Sequence, residues 1–256
     1  MLNPLLWLRP KNARFLVRAL KARFRDQKAE FATIQRHVRS GDIVCDIGAN
    51  KGSFVLWLSR WCRNGAVVAF EPQPLLAHSL AEMCGSLGLS NVKVEAEAVY
   101  ARSGIIDLFV PNGHSPGASL IGNFRTTQAS EAVSVPAISL DDYFDRDKRV
   151  TLLKIDVEGA ELDVFKGAER ILREQSPLLV FECENRHIES GSVQDVFSYL
   201  MSLGYEGRFV CCNALLPLSS FDPSVNQRQV GEWFWKKEGY CNNFVFAKSP
   251  AQTPTK

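Results

Sequence analysis

Long apolar runs are missing from this chain of 256 residues: no uninterrupted stretch approaches the roughly 20 residues that a membrane-spanning helix needs. The opening segment also lacks the basic, then apolar, then small-residue order of a secretory signal. CxxC spacing, which would point to a zinc or redox site, is absent, and the seven cysteines are an odd number. Cys45 sits in an apolar run, and Cys211 adjoins Cys212, which disfavours an ordinary bridge between those two neighbours. Free thiols in a reducing cytoplasm are the simplest account. Internal repeats and low-complexity tracts are lacking as well.

A large net charge is the next absence, at only +2, but the balance hides an uneven distribution. Residues 1–40 carry ten Lys or Arg against Asp26 and Glu30, whereas the remainder carries twenty against twenty-six acids. We therefore read residues 1–40 as a basic N-terminal helical extension and residues 41–256 as one slightly acidic globular domain. In the extension Phe15, Leu16, Ala19, Leu20 and Phe24 share one helical face, with Arg14, Arg18, Lys21 and Arg25 elsewhere. Two readings stand: a helix packed on the domain with a solvated basic side, or peripheral contact with an anionic membrane surface or an acidic partner.

Beyond the extension, apolar runs alternate with helical patterns. Asp42–Ile47, Ala66–Phe70, Val92–Val99, Thr151–Ile155, Leu178–Phe181, Tyr205–Cys211 and Asn243–Ala247 read as strands. Ser53–Cys62, Leu75–Leu87, Leu140–Phe144, Glu161–Arg173 and Val193–Leu203 read as helices. That order predicts an α/β, Rossmann-like, doubly wound and mostly parallel sheet covered on both faces. The final two strands have no helix between them, so the last is expected to run antiparallel. One insertion falls near 103–138, where Ile105–Val110 and Val133–Ile138 pair across a turn-rich loop. Another falls near 212–242 and carries Trp233, Phe234 and Trp235.

In such a sheet the ligand lies outside the carboxyl ends of the strands, near the point where strand order reverses. The first strand ends in VCDIGANKGSF, residues 44–54. A dinucleotide-binding turn would read G-x-G-x-x-G, whose second glycine lets the backbone approach a pyrophosphate. Here Asn50 stands in that place, and the Asp46 carboxylate would repel a phosphate. S-adenosylmethionine (SAM) suits the turn better. It has no phosphate, and its amino-acid end carries an ammonium beside a sulfonium, which Asp46 favours directly or through water. Its carboxylate can meet the N–H groups of the loop and helix start. Gly48 and Gly52 let the turn lie close to the ligand without a Cβ, and Glu71 ends the second strand where it can accept from ribose hydroxyls. Glu71 alone says only ribose, so a NAD-type oxidoreductase stays as an alternative, as does a catalytically idle cofactor-binding scaffold.

VCDIGANKGSF, VVAFEPQP, AVYARSG, SLDDYF and LLKIDVEGAELDVFKGAERIL resemble, in content and order, the FkbM-type methyltransferase family over roughly residues 40–185. The resemblance implies a class I methyltransferase fold, SAM as donor and usually a hydroxyl oxygen as acceptor. It puts Asp46, Gly48, Asn50 and Gly52 on the family's first cofactor motif and Glu71 on its ribose-binding acid. Glu97 and Ala98 fall where the third strand passes the adenine. Position 97 departs from the family's usual small or amide side chain, and Val99 and Tyr100 depart from its Ala-Leu-Ser triplet. Tyr100 is either a wall beside the adenine or a core residue.

Methyl transfer from a sulfonium needs mainly alignment and exclusion of water, and an alcohol acceptor also needs a base or a metal to remove its proton. Asp156 and Glu158 of KIDVEGAE fall on the same side of an extended chain, Asp156 beside both donor and acceptor. The structural alternative has Glu158 capping the following helix and Lys154 paired with Asp156. FECENRHI adds Glu182, Glu184, Asn185 and His187. Glu182 is expected to face the cleft and His187 to serve as general base, unless these groups are simply solvated or bonded to loop backbone. So many oxygen donors raise the question of a divalent metal such as Mg²⁺, with no ligand set specified. His114 to Ser119 resemble the family's serine-containing segment and read as a lid or as a hairpin connection. The tryptophans near 233–235 read as a stacking platform for a sugar or as an anchor for their insertion. The expected activity is O-methylation of a small-molecule or glycan hydroxyl. Nucleic acid is not expected as a partner. The body is acidic, and no N/D-P-P-Y/F sequence for an exocyclic amine stands at the fourth strand end.

Overall fold

The computed structural model describes residues 10–111 and 130–249. Helix α1 (Pro10–Lys21) passes through one π-helical turn, Ala22–Asp26, into α2 (Lys28–His37). Then follow β1 (Ile43–Ile47), α3 (Val55–Trp61), β2 (Ala66–Phe70), α4 (Pro74–Ser86) and β3 (Val92–Glu95). Pro74 opens α4, where its missing N–H would have had no helical partner. The expected strand Val92–Val99 is in fact two strands in two sheets. Ala96 and Glu97 interrupt it, and β4 (Ala98–Val99) joins β5 (Gly104–Pro111) and β6 (Ser130–Ile138) in a separate sheet. β5 and β6 pair antiparallel, as the insertion's pattern predicts.

The chain continues through α5 (Leu140–Tyr143), β7 (Val150–Ile155), α6 (Glu161–Lys166), α7 (Glu169–Glu174), β8 (Leu178–Glu182), α8 (Val193–Ser202), β9 (Glu206–Cys211), β10 (Ala214–Pro217), α9 (Pro223–Asn226) and β11 (Asn243–Ala247). One helix was expected over 161–173, and it is broken near Gly167. The Asp141 carboxylate accepts from the N–H groups of Arg170 and Ile171 at 2.7 and 3.1 Å and so starts a second helix. A Cβ at Gly167 would stand 2.1 Å from the Tyr100 carbonyl oxygen. β10 escaped the sequence pattern. It turns back on β9 through Cys212 and Asn213, both at positive φ, which is the two-residue hairpin geometry.

The main sheet runs β10-β9-β11-β8-β7-β1-β2-β3. β3, β2, β1, β7 and β8 are mutually parallel, and β11 is antiparallel to both β8 and β9. Strand order proceeds outward from β1 to β3, then resumes on the other side with β7. The crevice for a ligand therefore opens at the carboxyl ends of β1 and β7.

Each face of the sheet has its own core. Cys45 and Ile47 face a cluster with Phe165, Phe181 and Phe197, whereas Val44 faces one with Phe31, Phe54, Trp57 and Leu80. The extension completes this second core: Phe15, Leu16, Ala19 and Ala22 are buried, and the Trp57 indole donates to the Ala19 carbonyl at 2.8 Å. At about 1.5–3 kcal/mol for each large apolar side chain, this packing fixes the helix on the domain. Leu20 and Phe24, expected on the same face, are instead 42% and 57% exposed. The buried stripe runs through positions 15, 16, 19 and 22, and the π turn then shifts the phase. All seven cysteines are free thiols. Among the described residues no helix is long and apolar enough to cross a membrane.

Candidate active site

A cavity of about 370 Å³ occupies the crevice, a size usual for small-ligand sites. Ile47, Phe70, Val99 and Leu108 give it apolar walls, Glu71, Glu97, Asp156 and Glu158 carry its carboxyl groups, and Arg18 and Lys51 are its cations. Ala98 lies on the same wall as Glu97. The acids lie at the carboxyl ends of successive strands, where a parallel sheet gathers residues distant in sequence.

The turn after β1 is built by backbone geometry. Gly48, Asn50 and Gly52 have φ of 75°, 48° and 75°, a left-handed region that glycine adopts freely and asparagine tolerates. Packing also requires the two glycines. A Cβ on Gly48 would lie 1.8 Å from the Asp156 carbonyl oxygen, and one on Gly52 would meet Leu80 at 2.5 Å and Phe15 at 2.8 Å. Both are needed so that the turn can pack on β7 and on the extension, and only Gly48 and Asn50 of these three reach the cavity wall. Glu71 ties the turn to β2: its two oxygens accept from the N–H groups of Asn50 at 2.8 Å and Gln73 at 2.9 Å. Burial pushes its carboxyl upward, partly offset by those two bonds and a third from the Gln73 side chain. With about four acceptor positions and three of them used, the carboxylate keeps capacity for a ligand hydroxyl.

Asp46 requires a correction. Its side chain is 1% exposed, does not line the cavity, and neither oxygen has a hydrogen-bond partner. Strand alternation explains this: Ile47 points toward the cavity side, so Asp46 points to the opposite face, in register with Lys154. Burial raises its pKa to about 6, against the pull of Lys154. Lys154 is itself buried, 3.2 Å from Asp156 and 4.9 Å from the Phe54 ring. Burial lowers its pKa, but Asp156, Asp46 and Glu182 outweigh that and leave it raised. The extension adds Glu30, 3% exposed, whose pKa burial lifts to about 7 despite Lys154. A carboxyl whose folded pKa exceeds its unfolded value loses stability as pH rises between the two. Glu30→Gln should therefore gain stability relative to the parent chain between about pH 4.5 and pH 7. Thermal melts at both ends of that window check this, and an unchanged difference would contradict it.

At the other end of the cavity Glu158 has a positive φ of 54° and is followed by Gly159 at 110°, a backbone strain of roughly 1–3 kcal/mol of the kind that collects at functional sites. His187 Nδ1 is paired with Glu158 Oε2, and the imidazole side chain is only 7% exposed. Burial lowers the His187 pKa, but Glu158 more than offsets it and the net shift is upward. Of the expected catalytic set, then, Asp156 and Glu158 line the cavity, while His187 stands behind Glu158 and Glu182 does not line it. At the start of α6 Glu161 accepts from the Gly159 N–H at 3.0 Å, and Lys154 is paired with Asp156 as the structural alternative expected.

Glu182 accepts from Asn242 at 2.7 Å. Burial, with Asp156, Glu158 and Glu184, pushes its carboxyl well up. Glu184 goes the other way: burial raises it, but a two-pronged contact from Arg186 at 2.5 and 2.9 Å, with Tyr240 and Asn242, outweighs burial and holds it low. Asn185 accepts from the Val193 N–H at 2.9 Å. These oxygens are already committed, and among the described residues no group of three His, Cys, Asp or Glu is placed to hold a metal ion. The donor set does not fit Mg²⁺.

The 212–242 insertion returns over this end. Arg186 lies 4.9 Å from the Trp235 ring, and Trp233 and Trp235 remain 52% and 36% exposed. Tyr100 is not on the cavity wall and bonds toward Asp163. The segment His114–Ser119 lies outside the described residues. Sequence reasoning missed Arg18, whose guanidinium donates to the Lys51 carbonyl at 3.0 Å, and Glu30. Nothing in the basic extension marks which of its charges turns inward.

Sheet order, the crevice at the β1–β7 switch and the acid ending β2 define a class I methyltransferase fold. Solved structures agree. A methyltransferase FkbM from Methylobacillus flagellatus superimposes with a TM-score of 0.51 at 16% identity, covering 93% of this chain and 55% of that one. A Streptococcus mutans chain solved in complex with SAH gives 0.51 at 10% identity, covering 87% and 97%. At such identities the likeness is one of fold. The Methyltransferase FkbM domain matches residues 46–206, and the chain belongs to that family. It is 29% identical over 145 residues to "Methyltransferase 1" of Beauveria bassiana and 30% over 161 residues to "Methyltransferase sdnD" of Sordaria araneosa. Those matches cover 49% and 51% of this chain and only 58% and 61% of the relatives' own lengths.

Proposed function

We propose that the protein is a SAM-dependent methyltransferase that methylates a hydroxyl oxygen of a small molecule or glycan. The observation that carries this is one cavity with a hydroxyl-accepting acid, Glu71, at one end and the Asp156–Glu158 pair at the other. Four carboxyl groups against two cations make that cavity suited to a positively charged ligand and poorly suited to a diphosphate. This favours SAM over a nicotinamide dinucleotide.

SAM bound here supplies an electrophilic methyl group. Glu71 would hold ribose hydroxyls, Ala98 and Val99 would flank the base, and Asp156 would face the cationic end. Glu158 accepts the acceptor's hydroxyl proton, and His187 orients it from behind. Trp233 and Trp235, partly exposed and with rings tilted by 56° to one another, would supply aromatic contacts to a sugar-like acceptor beside Arg186.

Calorimetric titration with SAM and with NAD, followed by transfer of a labelled methyl group to hydroxyl compounds, tests the reading. SAM binding with methyl ethers as products supports it; NAD binding without response to SAM overturns it. Glu71→Ala removes hydrogen bonds from an ionisable acceptor, each worth about 1.5–3 kcal/mol. SAM affinity should fall by about 10²-fold or more.

A further inference from the structure

A second cavity, about 210 Å³, opens between α1, α4 and the turn after β1, and shares Arg18, Asn50 and Lys51 with the first. Lys11, Arg14 and Arg18 fall on one face of α1 at the helical spacing i, i+3, i+7, and Lys51 completes a ring of four cations around it. No acid lines it; its floor is Phe15, Leu76, Leu80 and Met83, with the Ser79 hydroxyl at its side. The position of α1 is fixed, because buried Asn12 accepts from the Ser86 hydroxyl of α4 at 3.0 Å and Phe15 is in the core. Among the described residues none of the four cations is paired with a carboxylate, and Arg18 spends one N–H on the Lys51 carbonyl. Some cations elsewhere do have carboxylate partners, among them Arg146 with Glu174, Arg173 with Glu169 and Arg186 with Glu184; what sets the groove apart is four cations gathered around one concavity that no acid lines. Four unpaired like charges around a concave, apolar-floored groove repel one another until an anion enters.

We propose that this groove binds a phosphate or diphosphate group, with Lys11, Arg14, Arg18 and Lys51 as its donors. Guanidinium and ammonium groups give phosphate oxygens charge-assisted, partly bidentate hydrogen bonds. The apolar floor suits the carbon adjoining such a group. The phosphate belongs either to a soluble phosphorylated compound or to a lipid headgroup. Through Arg18 and Lys51 the bound anion touches the wall of the first cavity.

Inorganic pyrophosphate titrated calorimetrically at about 0.15 M salt, where distant surface charges are screened, is the direct probe. We expect saturable binding of one equivalent. Lys11→Ala with Arg14→Ala, both exposed and outside the methyl-transfer machinery, should weaken it by roughly tenfold for each cation removed. Lys21→Ala with Lys28→Ala, the same charge change outside the groove, should leave it unaltered. Flotation with phosphatidylcholine vesicles, with and without phosphatidic acid, separates the sources. Capture by phosphatidic acid that Lys11 and Arg14 govern assigns the lipid, and its absence beside tight pyrophosphate binding assigns a soluble ligand. Equal weakening by both pairs of substitutions, or no binding of either probe, overturns the proposal. Neither readout needs methyl transfer, and SAM titration of the same variants reports separately on the methyltransferase reading.

Discussion

Glu158→Gln is expected to lower kcat by roughly 10²–10⁴-fold while leaving SAM affinity nearly unchanged. The substitution keeps the shape of a side chain whose backbone sits at φ 54° and removes its capacity to take a proton. Single-turnover methyl transfer beside calorimetry of SAM separates the two quantities. A fall in affinity as large as the fall in kcat would make Glu158 a binding group and sink its role as base. His187 is paired with Glu158 and 7% exposed, and the proposed mechanism has it act through that carboxylate. His187→Asn, which retains a donor, should keep more activity than His187→Ala; equal losses would point to packing alone.

Lys154→Met is expected to cost about 3–5 kcal/mol of folding stability, the usual penalty for stripping a buried charge of its partner. The Lys154 side chain is 7% exposed, lies 3.2 Å from Asp156 and favours the charged forms of Asp46 and Glu30. Its loss leaves several carboxyl groups on one face of the sheet without compensation. Urea unfolding measures the cost. Adding Asp46→Asn to Lys154→Met should recover part of it, since removing both members of a buried pair is cheaper than removing one. A cost below about 1 kcal/mol, the level of an exposed ion pair, would mean that these acids are neutral or solvated.

Much of this was legible in residue order, for identifiable reasons. Ala66–Phe70 and Asn243–Ala247 have the expected bounds because each is an apolar run closed by polar or turn-forming residues. The cofactor turn is legible because few residues tolerate positive φ, so Gly48, Asn50 and Gly52 announce the backbone. What they pack against is not legible: Asp156 and Phe15, which crowd those glycines, are more than 30 residues away in sequence. The burial of Asp46 follows from alternation along β1 once Ile47 is known to face the cavity, but the motif alone points to the ligand. Glu158 and His187 come together because β7 and β8 are neighbours in the sheet, a fact of topology. Arg18 and Glu30 lay beyond reach, since a helix rich in charge does not disclose which side another element will cover.

Family similarity begins at residue 46, yet Phe15, Leu16, Ala19 and Phe31 already belong to the core, and Phe31 stacks on Phe54 at 4.2 Å. The family match and the cooperative folding unit thus have different borders. Removing the residues before 46 would bare the outer surface of α3, separate Lys154 from Glu30 and take part of the wall off both cavities. The segment is thus structural support for the site as well as part of its wall, through Arg18.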